Sequence, residues 1–354
     1  GSSTISASQA DATHTSTLAL SSLQRPGGGA LNFSGTGLGE DARNRILIAN
    51  QPSGLIGFWT AYNGGAPAMY DVAKGVYGDA SATVRTIAAR GPGSVVPSDA
   101  LAAVRIDTEG TNGPVTLEGA SYNPTFTLLQ TTAVDSQIDV AGKTLATHGV
   151  GIAGGAAALT VGLTADDGVL TALAAGGKLE LGNESSSALT VNAAVSNNAG
   201  AVSLAKSGVG DVVLNGTCSY SGDTLIQTGN LVFASCATQA LVGAISGAGN
   251  LVKAGTNLLT LAGRNTFTGV TLINAGTVLA QTNLAFGASS AGTVIASGAT
   301  LDVGANLAAN ALTLGAEVFT VSGSGVGGRG AIVNNSGTSQ YSSISKVVLA
   351  GHTT

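Results

Sequence analysis

The chain has 354 residues, of which 53 are glycine, 44% are apolar and only 9% are charged. A compact globular protein carries about 25% charged residues, so this surface must be solvated by Ser, Thr, Asn and Gly instead of ions. The net charge of −5 is spread thinly, with no basic run, which argues against phosphate-backbone binding of nucleic acid. No apolar run approaches the roughly 20 residues that a membrane helix needs.

The sequence begins at Gly1 without an initiator Met or a signal-peptide pattern and reads as a mature or excised form. Its first part holds nearly half of the charges and an aromatic group: Phe58, Trp59, Tyr62, Tyr70 and Tyr77. A solenoid needs an atypical terminal unit to shield its core, and these aromatics are read first as packing of such a cap. Trp59 and Tyr62 are also the candidates for stacking against a sugar. The best helical candidate is Ser98–Arg105, with Ser98 as a possible N-cap.

All seven prolines lie at or before Pro124. Proline cannot donate to a sheet ladder, so the long proline-free remainder predicts strands paired on both sides. A soft boundary is placed near residue 112: 1–111 as an N-terminal cap and leading region with the first coils, 112–354 as a parallel β-helix. Short units recur at Val115–Leu117, Ile138–Val140, Leu159–Val161, Leu179–Leu181 and Leu189–Val191.

The strongest internal signal is a segment that occurs twice, 47 residues apart, at 200–234 and 247–281. Lys206 aligns with Lys253, Gly208 with Gly255, Leu214 with Leu261, Tyr220 with Phe267 and Gly229 with Gly276. A repeat at fixed spacing marks a solenoid. Turn glycines recur at positions 208, 229, 255, 276, 298 and 315. Their spacing of roughly 20 residues suits one coil of a parallel β-helix, so the repeat is expected to be two coils. Alternation is expected to place Leu and Val inside and Thr, Lys and Asn outside, with glycine supplying left-handed corners. Ten to fifteen coils stacked about 4.8 Å apart would make a rod on the order of 50–70 Å long.

The separation of Cys218 and Cys236 is close to one coil. Neighbouring coils bring Cα atoms within the range of a disulfide, so a Cys218–Cys236 bridge is expected, with two free, packed thiols as the alternative. His14, His148 and His352 form no metal-ligand pair, and no metal or other cofactor is expected. A glycosidase needs two carboxylates facing one cleft. The adjacent pair Asp166 and Asp167 lies in a Thr-Ala-Asp-Asp-Gly turn and reads as turn chemistry. Ser343–Gly351 reads as one more strand, leaving an open coil end that invites association.

The second copy, from Gly249 to Leu279, has Lys253, the Asn265-Thr266-Phe267 triplet and its glycines in one register. It resembles the autotransporter-associated β-strand repeat; the first copy departs from it, with Cys218-Ser219-Tyr220 in place of the triplet. Gly292–Gly337 is similar to the segment downstream of such repeats, and Gly57–Val76 more weakly resembles a leading region of the same exported proteins. The family's outer-membrane barrel is not read in this sequence. The resemblance implies a right-handed, single-stranded parallel β-helix, export to the surface of a Gram-negative-type bacterium, and a structural or adhesive role. The function expected is thus a non-enzymatic scaffold, adhesin stalk or filament subunit that associates with itself or with surface glycans. The alternative is a carbohydrate-binding or carbohydrate-cleaving β-helix using Trp59 and Tyr62.

Overall fold

A computed structural model describes all residues except 1, 10, 12, 24–29, 52, 59, 65, 79–81, 306–310 and 354. From Thr83 onward the chain is a β-solenoid of about ten turns in which every strand pairing among the described residues is parallel. Three faces succeed one another around each coil. The first face runs from Thr83–Arg90 through Asp99–Gly110, Tyr122–Gln130, Thr144–Ile152, Lys178–Asn183, Ser203–Ser207 and Thr224–Ile226 to Ile245–Gly247. The second is a ten-stranded sheet from Ser136–Ile138 to Lys346–Thr353. The third is regular from Gln239–Leu241 to Ile332–Val333. In earlier coils long strands bend round a corner instead. The first half of Thr144–Ile152 pairs with Val169–Ala172 and its second half with Lys178–Asn183.

Alternation explains the core. Along the first face Val104, Leu128, Val150 and Leu181 are paired in successive strands, and all are buried in one continuous apolar column. Ala103, Thr127, Gly149 and Glu180 are likewise paired and therefore point outward. The segment expected to be helical, Ser98–Arg105, lies mostly in the strand Asp99–Gly110. Its Ala102 and Val104 fill the core together with Ile106, and pairing on both sides overrides its modest helix propensity.

The soft boundary near residue 112 does not coincide with the change of core, because strands on either side of it pair without interruption. The change comes earlier. Strands Ser2–Ser6, Ala30–Ser34 and Thr60–Tyr62 form a separate parallel stack, in which Ser3 pairs with Leu31 and Leu31 with Thr60. That stack encloses its own core of Phe33, Leu38, Ile46, Ile56, Tyr62, Tyr70 and Val76. Antiparallel pairings among Gly54–Leu55, Met69–Asp71 and Gly75–Tyr77 close the unit.

The repeat is not two coils. Leu204 pairs with Thr224 and Thr224 with Ile245 on the first face, so two coils end at Ile245. The chain must still turn a corner to reach Leu251, the repeat-equivalent of Leu204, on the second face. Val212–Leu214 on the second face likewise corresponds to Leu258–Leu261 on the third. One repeat therefore advances the solenoid by about two and one-third coils. Equivalent strands of the two copies occupy different faces.

The turn glycines serve two purposes. Gly208, Gly229, Gly276, Gly298 and Gly315 have φ between 61° and 84° and supply the left-handed corners. Gly255 is different: its φ is not positive, and a Cβ there would overlap the Ser235 carbonyl of the preceding coil. Replacement by Asn separates the two roles, because Asn tolerates the left-handed region. Gly298→Asn, where a Cβ meets nothing within 4 Å, is expected to cost about 1 kcal/mol or less. Gly255→Asn should cost about 1–3 kcal/mol through overpacking. Thermal unfolding followed by circular dichroism checks the ranking.

Candidate functional site

Two buried polar devices hold the repeat together. The first is its lysine. Lys206 and Lys253 were expected outside, yet both are buried, at 0% and 3% exposure. Lys206 shares the inward column with Leu181 and Ile226, and Lys253 is paired with the buried Phe233. Each ammonium turns back to cap a corner carbonyl two residues on, Lys206 to Gly208 and Lys253 to Gly255. Lys206 also donates to the Ser207 carbonyl at 3.1 Å. Thr228 Oγ1 donates to the same Gly208 carbonyl, and a Cβ on Gly229 would crowd the Lys206 ammonium. The Lys-x-Gly spacing is thus a corner whose carbonyl is satisfied from inside. Burial pushes the Lys206 ammonium down to about 8, against the pull of Glu184, Asp211 and Glu180. Lys253 is lowered by the same cause.

The second device is Asn265, which is buried. Its Oδ1 accepts from the Ile245 amide at 2.8 Å and its Nδ2 donates to the Ala285 carbonyl at 2.7 Å, bridging three successive coils. In the first copy this position is Cys218, which has no such reach.

Cys218 and Cys236 are both free thiols, correcting the expected bridge. Locally one coil carries Gly222 to Gly243 and Asp223 to Ala244. The same offset carries Cys218 to Gln239, which reaches the Gly216 carbonyl beside it, and not to Cys236. Cys218 faces the core, and burial pushes its thiol up to about 12. Cys236 is exposed, and its Sγ accepts a hydrogen bond from the Thr256 hydroxyl in the next coil, which lowers its pKa.

Tyr62 is not a stacking platform. Its ring is buried in the N-terminal core with Gly78 against it, and its hydroxyl donates to the Leu38 carbonyl at 2.8 Å. Trp59 lies outside the described residues. Asp166 adopts φ 60° and accepts from the Thr217 amide and hydroxyl, while Asp167 accepts from the Leu163 amide. Both carboxylates thus organise turns. His148 lies edge-on to Phe126, and His14 contacts Asp11. Among the described residues no group of three or more His, Cys, Asp or Glu is placed to hold a metal. No helix among them is long and apolar enough to cross a membrane.

The arrangement least visible in the sequence is a covered strip on the outside of the first face. Lys178 and Glu180 point outward, since Leu179 and Leu181 between and beyond them are in the core. Both are nevertheless buried, because the N-terminal unit lies on them. The Lys178 ammonium donates to the Leu55 carbonyl, 123 residues away in sequence, and stands 3.4 Å from Glu180 Oε2. The ring of Phe58 rests where side chains would be at Gly149, Gly151 and Gly182, 2.7–3.1 Å from the Cβ each would carry. Leu55, Met69, Ala103 and Phe126 complete an apolar contact between the units.

Asn265→Leu leaves a buried amide and a buried carbonyl without partners, at about 1–3 kcal/mol each. An unfolding midpoint well below that of Asn250→Leu, whose side chain is half-buried, is expected. For Lys206, the folded pKa lies below the ordinary value of 10.5. Between pH 8 and 10.5 the unfolded chain binds a proton that the folded chain has lost, so stability rises with pH through that window. The stability of the native chain relative to Lys206→Met should therefore increase from pH 7.5 to 10.5, by on the order of 3 kcal/mol. Parallel denaturant titrations at the two pH values measure it.

Compared with known families, residues 204–233 and 251–280 match the passenger-associated-transport-repeat model. No curated protein and no solved structure gives a significant match. Both matched segments begin in the strands that carry the inward lysines and end with the strands Asn230–Phe233 and Gly276–Ala280. The chain therefore carries two passenger-associated transport repeats, built into the middle of a β-solenoid.

Proposed function

We propose that this chain is an exported, passenger-type β-solenoid that acts as a non-catalytic surface scaffold and associates with a second copy through the strand Lys346–Thr353. The repeat family and the solenoid fold support export to the surface of a Gram-negative-type bacterium. The scaffold role rests on continuous backbone pairing along the rod around a narrow Val, Leu and Ala core. Only 14 Lys and Arg residues offer cleavage points to trypsin-like proteases.

One observation carries the self-association. In the final strand, Lys346–Thr353, Val347 and Leu349 are paired with Phe319 and Val321, both buried core residues. Val347 and Leu349 therefore belong to the inward column, yet they are 45% and 69% exposed. Among the described residues this strand pairs on one edge only, with Val318–Gly323. An unpaired edge with an uncovered apolar column is a template for another strand. In the strand Thr83–Arg90 Arg85 occupies the column paired with Val104, beside Ile87 paired with Ile106, so a charge interrupts that column and makes it a poorer match. Two Lys346–Thr353 strands meeting about a two-fold axis, with the edges paired antiparallel, satisfy both surfaces.

Sedimentation velocity over a concentration series is expected to show a monomer–dimer equilibrium. Val347→Lys with Leu349→Lys should weaken it at least tenfold without changing the circular dichroism spectrum. A chain that stays monomeric at every concentration would rule this contact out. Saturable oligosaccharide binding by that monomer would favour glycan recognition instead.

A further inference from the structure

We infer that residues 2–77 form a releasable clasp on the solenoid flank, held by Phe58 on the Gly149, Gly151 and Gly182 seat and by Leu55 on Lys178, and that its release is coupled to ionisation of Glu180. The clasp has a core of its own, and among the described residues no strand of it pairs with a strand of the solenoid. Among the described residues they are joined by an apolar side-chain contact and by the Leu55 carbonyl on Lys178. A unit that folds around its own core and docks through a modest surface moves as a body by default.

The covered strip is poorly satisfied. Glu180 has only the Lys178 ammonium at 3.4 Å and the Ser207 hydroxyl of the neighbouring strand facing it, and neither closes a well-formed hydrogen bond to its carboxylate. Removing a charge pair from water costs more than its attraction returns unless hydrogen bonds complete it. Docking therefore works against the hydration of this strip, and the Phe58 seat and the Leu55 cluster offset that cost. The seat exists only because three outward positions lack side chains. Phe58 comes from far upstream of all three in sequence; Gly149 is also pressed by the Glu180 carbonyl of the next coil, but at Gly151 and Gly182 the nearest obstacle to a side chain is the Phe58 ring.

The coupling to pH follows from the surroundings of Glu180. Lys178 faces it from its own strand. Lys206, on the next strand, acts on it from the inward side. Thr144–Ile152 presents uncharged Gly149 and Gly151 beside it, and its His148 stands edge-on to Phe126, itself part of the contact with the clasp. Among the described residues the clasp brings Gly54, Leu55 and Phe58 to it, with Tyr77 in the same cluster and the Lys74 ammonium 6.0 Å over the Tyr77 ring. Burial raises the Glu180 carboxyl, and the Lys178 and Lys206 charges and the Ser207 hydroxyl only oppose that rise. A carboxyl that binds its proton more tightly when covered favours the covered state in acid. That preference is lost as pH rises through the raised value.

The test uses the full chain with a donor dye on the exposed Cys236 and an acceptor on Val72→Cys, an exposed clasp position. Transfer efficiency is expected to fall as pH is raised from 5 to 9. Glu180→Gln should hold it high and flat. Phe58→Ala, on the clasp, and Gly151→Leu, on the seat, should each raise the released fraction at least tenfold at neutral pH with unchanged circular dichroism. Efficiency that does not change with pH in the native sequence, or that is unmoved by both Phe58→Ala and Gly151→Leu, would overturn the clasp.

Discussion

The structure depends on one constraint: each coil must lie flat on the one before it, at the spacing of a parallel ladder. The ladder leaves no room for a corner of arbitrary shape. Where two backbones nearly touch, as at Gly255 and Ser235, only glycine fits. Where the chain must turn left-handed, as at Gly229 and Gly276, glycine again is the low-cost solution. The abundance of glycine is therefore a consequence of stacking, and the scarcity of charge follows from a thin core with outward positions that neighbouring coils crowd.

The corners also create a problem that apolar side chains cannot solve. Turning the chain takes carbonyls and amides out of the ladder, and some of them point inward. Lys206 and Lys253 satisfy such carbonyls from within the core, and Asn265 joins an amide of one coil to a carbonyl of another. A buried polar group is tolerated when its partners are in place, and here the partners are the corners themselves. The first repeat dispenses with the asparagine and accepts a packed thiol instead.

Much of this was legible in the sequence. Approximate coil length, strand positions and the identity of the corner residues follow from spacing and from the register of two copies. The direction of the lysines was legible too, had parity been followed. Lys206 is two positions beyond Leu204 and Lys253 two beyond Leu251, so each must point with its leucine. The missing disulfide turns on coil length. The coil that carries Gly222 to Gly243 is longer than the separation of Cys218 and Cys236, so the two thiols fall out of register. The covered strip was not legible at all. Alternation places Glu180 outside, and only a segment far upstream makes it buried.

The one-face offset between repeats reaches beyond this pair. A stack whose motif recurs every two and one-third coils does not present that motif along a line. Each copy is displaced by about 11 Å along the axis, from a coil spacing of about 4.8 Å, and rotated by one side of the prism. Three copies would advance seven coils before the first face is met again. An array of such units would wear its motif as a spiral band, so anything that reads several copies at once must wrap around the rod, and no single flank would ever display the full series.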